Sequence, residues 1–215
     1  MDKSFYEHIG VAFDFPNLYL KLTAAENLSL ISAYYKIKPS NIDDLLDQVG
    51  LLKDKDMKVE SFSKGMKMRL NFIRSIMHDP DIMFFDEPTS GLDPVNAKII
   101  KNSILDMKAK GKTVFLTTHN MTVAEQLCDR VAFINEGVIS AMDSPKNLMM
   151  THGNSVIDIS YLDNEKVSED VFSLDKIGEN NVFQHIIKTK KILTIHTQDA
   201  TLEDVFIKFT GRTLL

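Results

Sequence analysis

Polar and apolar residues change rhythm twice along the chain. Between about 23 and 80 the apolar positions recur at helical spacing. Thr23-Ala24-Ala25-Glu26 has the form of a capping box and leads into Leu28, Leu30, Ile31 and Tyr34, so a helix is predicted there. Ser40-Asn41-Ile42-Asp43 marks a second helix start and Gly50 its stop. From 82 onward, short uninterrupted apolar runs replace that spacing: Ile82-Met83-Phe84-Phe85, Val114-Phe115-Leu116 and Val131-Ala132-Phe133-Ile134. Such runs are expected of parallel strands covered on both faces. Ile9-Gly10-Val11-Ala12-Phe13 adds a strand near the start, ended by Pro16. Strands alternating with helices predict an open α/β sheet whose ligands sit at the carboxyl ends of the strands.

The second change comes later. Asn135-Glu136-Gly137 predicts a hairpin turn into Val138-Ile139-Ser140-Ala141-Met142. Beyond about 153, Val156-Ile157-Asp158-Ile159 and Ile192-Leu193-Thr194-Ile195 read as strands of a smaller unit. A final helix closes it, with Thr201 and Asp204 as a cap and Leu202, Val205, Phe206 and Phe209 as a stripe that packs onto a sheet. The pattern therefore divides into 1–152, a large α/β domain, and 153–215, a small C-terminal α+β extension.

At 215 residues, 44% hydrophobic and 26% charged, the chain can bury a sizeable core. No stretch approaches the roughly 18 apolar residues of a membrane span, and the first residues hold no signal core, so a cytoplasmic location is expected. The net charge of -5 argues against an extended nucleic-acid partner. Cys128 is the only cysteine, which rules out an internal disulfide and reads as a small buried side chain on a helix.

The candidate chemistry lies at strand ends. Asp86 and Glu87 emerge from an apolar strand and Pro88 halts further pairing. Two such acids suit a magnesium ion and an attacking water, although alone they could equally be solvated. Asp93-Pro94 is a ready helix start. A phosphate-cradling G-x-x-x-x-G-K-[ST] loop is absent: Gly111-Lys112-Thr113 has Asp106 where Gly is required and precedes a strand, so Gly111 reads as a helix stop.

The string Phe84-Phe85-Asp86-Glu87-Pro88-Thr89-Ser90-Gly91-Leu92-Asp93-Pro94 resembles the Walker B and D-loop of ATP-binding cassette (ABC) ATPases. Phe62-Ser63-Lys64-Gly65-Met66 resembles the family signature L-S-G-G-Q, departing from it at Lys64 and Met66. Thr117-Thr118-His119 stands where the family carries its switch histidine, and Asp14 stands in place of the Q-loop glutamine. Residues 200–211 resemble C-terminal extensions of subunits that pair with small export permeases.

The resemblance implies a P-loop NTPase-like parallel sheet, incomplete at its N-terminus, with a helical subdomain. It implies ATP hydrolysis with Mg2+: Glu87 and His119 catalytic, Asp86 and Asp14 on the metal, and Ser63, Lys64, Gly65 and Asp93 at the ATP of an opposite subunit or at the dimer interface. The implied partners are an integral membrane permease and a second ABC ATPase subunit, alike or different, with no nucleic acid. The implied location is peripheral, on the inner face of the cell membrane. The family's Walker A loop precedes the Q-loop, and this sequence begins close to the Q-loop. Two expectations follow: a shortened form of an exporter's energy subunit, or an inactive module that completes a partner's ATP site.

Overall fold

The computed structural model describes residues 3–37 and 41–211. Ser40, read as part of a helix start, lies outside the described residues. The chain forms two compact units, 1–119 and 120–215.

In the front unit, helix α1 (Ala24–Ser32) is opened by a complete capping box: the Thr23 hydroxyl accepts from the Glu26 N–H at 3.1 Å, and the Glu26 carboxylate accepts from the Thr23 N–H at 2.8 Å. Helix α2 (Ile42–Gln48) is capped by Asn41. Helix α3 (Lys64–Ile76) starts at Ser63 and buries Leu70 and Ile73, with Met77 buried at its end. Helix α4 (Pro94–Ala109) starts on Asp93. It ends with paired bonds from Gly111 N–H to Lys108 O (2.9 Å) and Lys112 N–H to Met107 O (3.1 Å), the predicted stop.

Strands β1 (Ile9–Ala12), β2 (Ile82–Asp86) and β3 (Thr113–Thr117) form a parallel sheet in that order. Ala12, Met83 and Phe85 are buried, and Phe85 meets Phe72 of α3 at 5.1 Å between ring centroids. The other face differs from the expectation of cover on both sides. Phe84 and Phe115 are 42% and 59% exposed and stack on each other at 5.3 Å. Adjacent strands in register place them side by side, so the two rings shelter each other.

The back unit corrects two expectations. The run at 131–134 is not a parallel strand: β4 (Val131–Asn135) pairs antiparallel with β5 (Val138–Asp143). Glu136 and Gly137 both have positive φ, the geometry of a two-residue primed turn, and this turn returns the chain at once. The final helix α8 (Leu202–Thr210) packs with residues that precede 153. Leu202 and Val205 join Met121, Ala124, Phe133 and Leu148 in one core, and Phe206 meets Phe133 edge-on at 5.3 Å. Helices α5 (Met121–Leu127) and α6 (Pro145–His152) complete that layer. Cys128 ends α5 and is only half-buried beside this core.

A second sheet, ordered β7-β6-β8, is antiparallel throughout: β6 (Val156–Asp163), β7 (Lys166–Ser173) and β8 (Lys191–Gln198). Its cover is α7 (Asn181–Thr189), whose Ile186 packs with Ile159 and Tyr161. No helix among the described residues is long and apolar enough to cross a membrane.

Candidate active site

Asp86 pairs in register with Thr117, so β2 and β3 leave the sheet at the same level. The Asp86 carboxylate accepts a hydrogen bond from the Thr117 hydroxyl. The next residue, Glu87, turns sharply: its φ is 48°, its N–H still donates to Thr117 O at 3.1 Å, and its carbonyl accepts from the Ser90 N–H at 3.0 Å. A non-glycine residue held in the left-handed region costs about 1–2 kcal/mol. Such strain is commonly stored where a side chain must be aimed.

The aim is visible in the partners of Glu87. Its Oε1 accepts from the His119 main-chain N–H at 2.8 Å and lies 2.7 Å from His119 Nδ1, while Oε2 accepts from the Thr118 hydroxyl at 3.3 Å. A carboxylate only accepts, so Nδ1 carries the hydrogen in this pair. The other ring nitrogen, Nε2, is therefore an acceptor in the neutral ring and a donor only in the charged one. His119 is largely exposed, whereas the Glu87 side chain is mostly covered.

A second group forms around the start of α3. The Ser63 hydroxyl accepts from the Met66 N–H at 3.2 Å. The stem of Lys64 crosses Gly91, where a Cβ would lie 3.2 Å from Lys64 Cε, and a Cβ on Gly65 would lie 3.4 Å from Leu92 Cδ2. Gly91 has φ +70°, which glycine adopts without strain. The loop from Glu87 to Asp93 is thus packed directly against the segment 63–65. Asp93 caps α4 by accepting from the Val95 and Asn96 N–H groups, both at 3.0 Å. The Asn96 bonds chiefly hold its carboxyl below the usual range.

Asp14 follows the end of β1, whose Ala12 pairs with Phe85, and is bonded to neither group. It lies in the loop after β1, half-buried, and its carboxylate makes no hydrogen bond or ion pair with a described residue. The loop itself is fastened. Asn71 Nδ2 donates to Phe13 O at 3.0 Å, Arg74 Nη1 donates to Asn17 O, and Asn27 bonds both the N–H and the carbonyl of Tyr19 at 2.8 and 3.0 Å. Beside it runs a groove of about 450 Å³ whose lining includes Pro16, Tyr19, Ile31 and Arg74. The structure thus unites Asp86, Glu87 and His119, gathers Ser63, Lys64 and Gly65 against the loop leading to Asp93, and leaves Asp14 at the same end of the sheet without a bond to either group.

Thr117, Thr118, Asn71 and Arg74 carry roles that sequence reasoning did not assign. Thr117 could have been found from strand register alone, and Asn71 as an amide inside an apolar helical stripe.

A family model described as ABC transporter matches residues 1–90. The fluoroquinolones export ATP-binding protein of Mycobacterium tuberculosis is 44% identical over 211 residues, covering 98% of this chain and 70% of that protein. This chain belongs to the ABC transporter ATPase family. The Nod factor export ATP-binding protein I of Paraburkholderia xenovorans is 33% identical over 221 residues, covering 95% of this ABC chain and 73% of its relative. A model of the fluoroquinolone efflux ABC transporter C-terminal domain matches residues 155–199.

Among solved structures, an ATP-binding subunit of an ABC transporter superposes with TM-score 0.63 at 26% identity, covering 70% of this chain and 65% of that one. A dimeric ATP-binding cassette in a post-hydrolysis state, bound to ADP and Pi, gives TM-score 0.59 at 26% identity, covering 66% and 65%. The present ABC chain spans just under two thirds of each of these solved chains.

Proposed function

We propose that the chain is the ATP-hydrolysing subunit of an ABC exporter, with Glu87 positioning the attacking water and His119 positioning Glu87. The observation that carries this reading is the two-point grip of His119 on Glu87 Oε1, through its main-chain N–H and Nδ1. A carboxylate fixed in this way can take a proton from water only along its remaining lone pairs, so the fold sets the direction of attack. His119 Nε2 is left to meet a phosphate oxygen, as a donor when the ring is charged.

Magnesium fits the donors present. Asp86 and Asp14 offer hard carboxylate oxygens and Thr117 a hydroxyl. Among the described residues no group of three or more His, Cys, Asp or Glu side chains could hold a metal ion, so Mg2+ would complete its shell with water and phosphate oxygens. When bound, it neutralises charge on the transferred phosphate. Ser63, Lys64, Gly65 and Asp93 belong on this reading to the face shared with a second ABC subunit. Ser63 keeps its O–H free to donate, the Lys64 ammonium has no ion-pair partner among the described residues, and a similar solved structure is a dimer bound to ADP and Pi.

Export follows from the relatives named for it and from the match over 155–199. The division into 1–152 and 153–215 is retained as a functional one, the first part for nucleotide and the second as an exporter-type extension. An integral membrane permease is the partner, with the chain peripheral on the cytoplasmic side. The 215 residues contain no phosphate-cradling loop, so hydrolysis requires one from elsewhere in the polypeptide or from a second subunit. A second reading, a module that completes a partner's site without hydrolysing, is favoured by the placement of Ser63 and Lys64 against the loop to Asp93.

Phosphate release, measured together with a subunit that carries the phosphate loop, separates the two. Glu87→Gln is expected to slow release by about 10²- to 10⁴-fold. An unchanged rate overturns the first reading, and ATP-dependent association lost in Ser63→Arg without any release supports the second.

A further inference from the structure

The loop after β1 contains little regular structure, so its backbone polar groups are served by side chains. Phe13 O and Asn17 O, on either side of Asp14, are gripped from α3 by Asn71 and Arg74 respectively. These two side chains stand three residues apart, on one face of the helix, and Arg74 Nη2 braces Asn71 Oδ1 at 2.8 Å. Asn71 is 1% exposed. Burial draws the Arg74 pKa down, and no carboxylate among the described residues pairs with it. A partly buried cation without a counter-ion gives up hydration that an ion pair would otherwise replace. A neutral donor would fasten one carbonyl more cheaply, whereas the planar guanidinium spans Asn17 O and Asn71 Oδ1 at once.

We infer that Asn71 and Arg74 are positioning residues that set where the Asp14 carboxylate stands for magnesium. The inference rests on reading Asp14 as a metal-side acid. The grip is local: the same loop is fastened further along by Asn27 at Tyr19, well past Asp14 in sequence. Because Ser63 caps the same helix, α3 carries the fastening of the Asp14 loop and the nucleotide-facing serine on one rod. Their separation along it is about 12–16 Å at the helical rise.

The test uses the full chain together with a subunit that carries the phosphate loop, with ATP and Mn2+ as the probe, reading the Mn2+ retained by the protein after separation from free Mn2+–ATP and loop amides by hydrogen exchange. Arg74→Ala and Asn71→Ala are expected to weaken Mn2+ binding about tenfold, the scale of lost outer-shell support, and to speed exchange around 13–17. In an Asp14→Ala background neither should weaken it further. Asn27→Ala should speed exchange at Tyr19 and leave Mn2+ affinity unchanged. Arg74→Lys, which keeps the charge but not the planar fork, covers the case in which the alanine variant unfolds and should lose a few-fold. Additive losses in the Asp14→Ala background, or an equal loss in Asn27→Ala, overturn the inference. Mn2+ bound normally by Asp14→Ala overturns it while sparing the role of Glu87. No Mn2+ retained by the unaltered chain together with the loop-bearing subunit overturns both it and the proposed magnesium site.

Discussion

In the back unit Ser160 meets Thr194 at 2.6 Å, Tyr161 donates to Asp170 at 2.7 Å, and Lys190 pairs with Asp163 at 2.6 Å. In the front unit hydroxyls and an imidazole instead converge on two acids at one end of a sheet. Both units are built from short strands and capped helices. The difference is direction. An antiparallel ladder brings a polar partner back across from each polar side chain, so the groups satisfy one another along the sheet. Parallel strands all stop at the same end, and whatever follows the last pair of bonds is gathered there with no ladder to absorb it.

The largest effect should come from setting the two kinds of acid against each other. Glu87→Gln removes the proton acceptor and is expected to lose most phosphate release, whereas Asp158→Asn, which alters a sheet acid bonded to Gln198, should leave the rate unchanged. Equal losses would break the comparison. Next, Leu202→Ala empties a fully buried site in the back core and should cost about 2–5 kcal/mol in urea unfolding, a packing effect with no counterpart at the Glu87–His119 contact.

Gly91→Ala should cost about 1–2 kcal/mol in thermal unfolding, because alanine at φ +70° is strained and its methyl would press on the Lys64 stem. The smallest effect is in pH. His78 is buried, stacked on Tyr35 at 3.8 Å and bonded to Ile9 O at 3.0 Å, and burial lowers its pKa from the ordinary 6.5. The unfolded chain therefore binds this proton more readily than the folded one. The stability contribution of His78 is complete above pH 6.5 and declines as the pH falls below it. His78→Phe should flatten that decline in a series of urea midpoints.

Much of this was legible in advance, unevenly. Thr23, Asp93, Gly111 and the turn at 135–137 announced their elements because caps and turns act through residues three or four apart. Asp86, Glu87 and His119 were legible through the resemblance of their surrounding motifs, since two acids and a histidine at strand ends could equally have been solvated or structural. The β7 strand and α7 were not singled out. In β7 Val167 and Val171 stay exposed and Phe172 is only partly covered, so no clean alternation marks the strand. The partner of α8 was also illegible, since an apolar stripe states that something is covered and not what. Asn71 and Arg74 sat within the predicted helical region, but their partners are carbonyls more than fifty residues away.

The bare face holding Phe84 and Phe115 also bears on handling the protein. β3 pairs with β2 on one side only among the described strands, so an open row of backbone groups runs beside an exposed aromatic ring. Such an edge is a template for another copy of itself. These 215 residues are therefore expected to self-associate as they are concentrated, which light scattering over a concentration series would show. If so, the edge of β3 sets the concentration at which the acids at the end of β2 are best assayed.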